Sequence, residues 1–192
     1  MKGMVVYHSR YGNCKQIANA IFEGLKESGQ DVTLADVGTL SALPKDLEFV
    51  VVGSPTRAGH ASGPIRKFLK KVDGPPLKFA AFGTALAKWL PKGDATAAEG
   101  ISKILKEKGF IEIVPPLRSG VAGRKGPLAE GELEKAKEFG KAVAAELKSD
   151  RVAAPPAAAP AADAPPAAAS APAPPAAPPA EAPPGNGAKP AK

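Results

Sequence analysis

The 192-residue chain has a single cysteine, Cys14, and only two histidines, His8 and His60. One thiol excludes an internal disulfide and any zinc site built on cysteines. Two imidazoles do not make up for this, because no carboxylates stand at ligand spacing from them. The opening does not read as a secretory leader either, because it runs directly into the apolar stretch Met4-Val5-Val6-Tyr7. The longest apolar segment, residues 79–87, contains Gly83 and Thr84 and is far too short to cross a bilayer. No internal repeat is visible. These absences predict a cytoplasmic protein without a disulfide, a metal centre or a membrane span.

Aromatics make up only 5 % of the chain, and none occurs from residue 151 onward. That stretch holds 13 of the 22 prolines and 19 alanines, with Val152 as its only large aliphatic. It lacks the apolar surface that would offset the entropy of ordering it. Residues 1–148 are therefore expected to form one domain, and residues 149–192 a disordered Ala/Pro-rich tail with the character of a semi-rigid spacer. The net charge is +7, and nearly all of it belongs to the domain, since the tail has Arg151, Lys189 and Lys192 against Asp163 and Glu181. A modest positive field of this kind favours acidic partners without specifying one.

Within the domain, short apolar runs alternate with helical stripes. Met4–His8, Val32–Ala35, Phe49–Val52, Phe79–Phe82 and Phe110–Val114 read as five strands. Between them lie amphipathic segments with Cys14, Ile17, Ala18, Ile21, Phe22 and Leu25, then Ile65, Phe68, Leu69 and Val72, then Ala98, Ile101, Ile104 and Leu105. Ser62 and Pro64 mark one helix start, Gly29 and Gly109 mark two helix ends, and a last helix is predicted over Ala129–Leu147. Strict alternation implies a parallel sheet covered on both faces, with ligands at the carboxyl ends of its strands.

Three loops leave those ends. The first, Ser9-Arg10-Tyr11-Gly12-Asn13-Cys14, offers a hydroxyl, a glycine that lets the backbone approach closely, and the free N–H groups of a helix start, a combination suited to phosphate. It is neither a Walker loop nor a G-x-G-x-x-G fingerprint. At this position the helix dipole favours a Cys14 thiolate, whereas membership of the apolar stripe favours a buried thiol; the sequence leaves both open. The second loop contains Gly53-Ser54-Pro55-Thr56-Arg57-Ala58-Gly59-His60, and the third Gly83-Thr84 through Trp89.

The three loops in register resemble the flavodoxin family over the whole folded part. Ser9-x-x-Gly12-Asn13 matches the second half of that family's phosphate loop, with Cys14 in place of the usual Thr, and Gly53-Ser54-Pro55 resembles its second loop. The resemblance implies a doubly wound five-stranded parallel sheet of order 2-1-3-4-5 and an FMN cofactor. It assigns FMN binding to Ser9, Arg10, Tyr11, Gly12, Asn13, Cys14, Ser54, Pro55, Thr56, Arg57, Gly59, Gly83, Thr84 and Trp89. The usual aromatic of the second loop is absent, and Trp89 is the only aromatic of the third. Arg57, His60 and Lys88 would raise the flavin's potential by favouring negative charge near N1 of the ring.

The function implied is electron transfer with an acidic redox partner protein, docked at the cationic loop Arg118–Pro127; no nucleic acid is expected. Two other classes compete. Thr56-Arg57-Ala58-Gly59-His60 followed by Phe68 is similar to the quinone-dependent protoporphyrinogen oxidases, although the long insertion near the fifth strand is absent. The missing second-loop aromatic fits a flavin-free interaction module that kept the fold.

Overall fold

A computed structural model describes residues 1–73, 75–92 and 96–153. The tail from residue 154 lies outside the described residues, as do the side chains at 89, 91, 92 and 150–153. Strands are β1 (Lys2–Tyr7), β2 (Asp31–Asp36), β3 (Phe49–Arg57), β4 (His60–Ala61), β5 (Lys78–Leu86), β6 (Ile111–Glu112) and β7 (Leu117–Val121). Helices are α1 (Asn13–Glu27), α2 (Gly63–Lys71), α3 (Ala97–Glu107) and α4 (Glu132–Ala153).

The sheet runs β2-β1-β3-β5, and both β6 and β7 add to the outer edge of β5. All these pairs are parallel; only the short β4 is antiparallel, folded back on β3. This is the 2-1-3-4-5 order, with the fifth strand in two pieces. Pro115-Pro116 separates the pieces, because a proline has no N–H to donate to the ladder. Residues 118–121, expected to begin the cationic loop, therefore lie in strand β7, and Thr84 and Ser119 are neighbours on adjacent strands.

The apolar stripes divide between the sheet faces. Ile17, Ile21 and Leu25 of α1 pack with Val143 and Leu147 of α4 on Val5, Phe49 and Val51. Ile65 and Leu69 of α2 pack with Ile101 and Leu105 of α3 on Val6, Val50 and Phe79. The two helices of the first layer cross at glycines: a Cβ at Gly24 would lie 2.2 Å from the Lys137 carbonyl oxygen, and one at Gly140 would lie 2.4 Å from that of Ile21. The start of α3 carries a feature that the periodicity did not reveal. Thr96 and Glu99 form a reciprocal capping box, and Arg118 of β7 pairs with Glu99.

Candidate functional site

Strands β1, β3 and β5 end at one edge of the sheet, and a cleft of about 600 Å³ opens there. The first loop supplies Ser9, Arg10, Tyr11, Asn13 and Cys14 to its wall. Pro55, Thr56, Arg57 and Ala58 come from the end of β3, and Thr84, Ala85 and Leu86 from the end of β5. Val121, Gly123 and Arg124 close the last side.

The first loop is held by its own side chain. Gly12 adopts φ 88°, a left-handed conformation open to glycine, and donates its N–H to Ser9 Oγ at 3.1 Å. Helix α1 begins at the next residue, and its first backbone bond runs from Gln16 N–H to the Gly12 carbonyl. The N–H groups of Asn13, Cys14 and Lys15 precede any intrahelical acceptor, so they are left for an anion at the positive end of the helix dipole. The donor set fits a phosphate, and Arg10 of the same loop lines the cleft, its guanidinium 5.5 Å from the centre of the half-exposed Tyr11 ring.

Asn13 does something else. Its Nδ2 donates to the Lys125 carbonyl at 3.1 Å, tying the Gly123–Gly126 turn to the start of α1. A Cβ at Gly126 would stand 2.8 Å from Asn13 Oδ1, so that turn lies directly against the amide.

The second loop is largely strand. Thr56 pairs with Ala61 and Arg57 with His60, around a two-residue turn in which Ala58 (φ 48°) and Gly59 (φ 78°) are both left-handed. Such a turn matches the twist of its strands. An alanine held in that region costs about 1–2 kcal/mol, so the rim of the cleft carries strain. Ser54 is fully buried behind this hairpin: its Oγ accepts the Ser62 N–H at 2.8 Å. Thr56 Oγ1 accepts the Ala97 N–H at 3.0 Å and so joins the hairpin to α3. Ser62 stands at the N-cap of α2, but its hydroxyl faces Ser54 and does not cap the helix.

Of the residues singled out from the sequence, nine line the cleft together: Ser9, Arg10, Tyr11, Asn13, Cys14, Pro55, Thr56, Arg57 and Thr84. Gly12 and Gly59 shape turns at its border, Ser54 and Gly83 are buried behind it, and the Trp89 side chain lies outside the described residues. Val121 is not among the residues the sequence points to, and Leu86 is so only as a member of the third loop. Arg124 was visible only as one cation of a Gly-rich loop, because its place depends on β7. Cys14 borders the cleft but is only 2 % exposed, and burial pushes its thiol far above the usual range, with Asp36 adding to the effect. Burial overcomes the helix dipole here.

Residues 4–107 match the family profile described as a flavodoxin domain. The chain belongs to the flavodoxin family. An uncharacterized protein of Methanocaldococcus jannaschii is 32 % identical over 154 residues, covering 74 % of this chain. The chain spans about a third of that relative, 36 % of its length. The fold is similar to that of a flavodoxin from the domain Archaea, with TM-score 0.64, 24 % identity, and coverage of 77 % of this chain and 99 % of that one. For oxidised Flavodoxin 1 from Bacillus cereus the TM-score is 0.63 at 18 % identity, with 74 % and 97 % covered.

The cleft of this flavodoxin domain is cationic. Three arginines line it, Arg10, Arg57 and Arg124, and among the described residues no carboxylate does. No group of metal-ligating side chains occurs among the described residues, and no helix there is long and apolar enough to cross a membrane.

Proposed function

We propose that the cleft binds FMN, with the phosphate on the Ser9–Lys15 segment and the ring between the ends of β3 and β5, and that the protein transfers electrons. The observation that carries this reading is the unengaged amide cluster at the start of α1, facing a cleft whose only charged lining residues among those described are arginines. FMN supplies one- and two-electron redox chemistry when bound. Ser9 and Gly12 preorganise the amides, and Arg10 adds a fixed charge at the same end. Pro55, Ala58 and Leu86 offer an apolar surface to a planar ring, while Arg57 and Arg124 favour negative charge in the cleft.

Reconstitution of the full chain with FMN and with riboflavin tests this, followed by visible absorbance. FMN is expected to bind at least about a hundredfold more tightly, since several charge-assisted hydrogen bonds end on its phosphate. Equal affinity for the two would remove the phosphate from the first loop.

A further inference from the structure

Helix α2 differs from its neighbours in charge. Its nine residues carry Arg66, Lys67, Lys70 and Lys71 and no acid, whereas cations and carboxylates balance along α1 and α4. All four side chains are exposed, and among the described residues none has a carboxylate partner. Asp73, the acid just beyond the helix, is paired with Lys108 at 3.4 Å. The spacing sets like charges against each other: Arg66 with Lys70 and Lys67 with Lys71 at i,i+4, and Lys67 with Lys70 at i,i+3. Such pairs weaken a helix, so the cluster works against the fold that carries it.

Its position relates it to the cleft. Ala61 pairs with Thr56 on the cleft wall, and α2 begins two residues later. At 1.5 Å per residue the helix is about 13 Å long. A footprint of about 800 Å², a disc roughly 16 Å in radius, is wide enough to reach from the helix to the Arg57 edge.

We propose that the α2 face, continued by Arg57 at the cleft, docks the acidic surface of a partner protein. The nature of the partner, one that exchanges electrons, rests on the function proposed above. Insertion into a membrane would require exposed apolar side chains, but Ile65, Phe68 and Leu69 are all buried in the core, so a lipid surface would be held by charge alone. Single-stranded nucleic acid would require aromatic platforms among the cations, and the only aromatic of the helix is the buried Phe68. A protein carboxylate surface needs only unpaired, exposed cations beside the point of electron exchange.

The test uses the flavin-free full chain at low ionic strength, where exposed charges are little screened. The probes are a short polyglutamate peptide, a thymidine oligonucleotide of equal charge, and phosphatidylserine vesicles. Two variants of equal charge loss are compared: Arg66, Lys67, Lys70 and Lys71 all changed to Gln, and Lys26, Lys135, Lys141 and Lys148 all changed to Gln. The α2 variant is expected to bind peptide about tenfold or more weakly, and the control variant within about twofold of the parent. Amide chemical-shift changes on adding peptide should centre on residues 57–71. Equal losses in both variants would refute the proposal, as would shifts centred elsewhere or tighter binding to oligonucleotide or vesicles. The FMN spectrum is read separately. Peptide binding specific to α2 in a protein that ignores FMN would keep the docking surface and overturn the flavin reading; the reverse result would overturn only the docking surface.

Discussion

Two glycines, both inside helices, should respond to alanine with opposite signs. Helix propensity alone predicts that Gly→Ala stabilises by about 1 kcal/mol at either position. At Gly100 of α3 a new Cβ meets nothing within 4 Å, so that gain should appear undiminished. At Gly24 the Cβ would stand 2.2 Å from the Lys137 carbonyl oxygen, about 1 Å inside ordinary contact. Relief requires α1 and α4 to separate, and Ile21, Leu25, Val143 and Leu147 are packed between them and the sheet. Overpacking of this kind costs about 1–3 kcal/mol, with the upper part expected where the obstacle is backbone. Net of propensity, Gly24→Ala should lose about 1–2 kcal/mol. For a domain of this size that lowers Tm by about 2–8 °C, whereas Gly100→Ala raises it by about 2–4 °C. Thermal melts followed by circular dichroism at fixed pH measure both. The displaced α1 carries the first-loop amides, so Gly24→Ala should also weaken FMN binding while Gly100→Ala leaves it unchanged. A Tm increase for Gly24→Ala comparable to that for Gly100→Ala would refute the close crossing of α1 and α4.

Cys14 should resist alkylation in the native protein at pH 8, with or without FMN, and react only in denaturant, because its buried thiol is held neutral; rapid native labelling would show that the first turn of α1 opens. Burial pushes the Glu99 carboxyl up, but hydrogen bonds from Thr96 and Arg118 outweigh this and hold it below its ordinary 4.5. Its contribution is therefore complete above that pH and is lost as pH falls through the lowered value, so the stability gap between the parent and Glu99→Gln should close in acid; a gap unchanged from pH 7 to pH 3 would exclude this role. Replacing Arg57 and Arg124 together with Gln should lower the midpoint potential of the FMN-loaded protein, since both line the cleft. An unchanged potential in redox titration would mean that neither charge reaches the ring.

The layers of the fold were legible because they depend on local period. Ile17, Ile21 and Leu25 repeat at helical spacing, and Val50-Val51-Val52 read as a strand covered on both faces, which is how these residues lie. Alternation then implied parallel pairing, and parallel pairing puts a cleft at the carboxyl ends of the strands. What local period leaves out is where each strand stops. Gly53-Ser54-Pro55-Thr56-Arg57 has the composition of a loop, yet Ser54 pairs with Gly83 and Pro55 with Thr84, because β5 continues alongside it. The same continuation lets β7 form after the Pro115-Pro116 break and brings Val121 and Arg124 to the cleft.

The roles of the site's polar side chains were hidden for a related reason. Thr56 and Asn13 belong by sequence to loops that the family resemblance assigns to the cofactor, but each spends a polar group on protein backbone: Thr56 on Ala97, 41 residues away, and Asn13 on Lys125, 112 residues away. No window along the chain contains either pair. A loop built this way has its shape fixed by distant backbone, while the amides that no side chain claims stay open to the cofactor proposed above. That division explains how Cys14 can stand where the family usually has Thr: its buried thiol packs with Ile17 and Tyr7, and the N–H of the same residue still points out of the first turn. The donors on which the proposed phosphate would rest are main chain, and main chain survives the substitution.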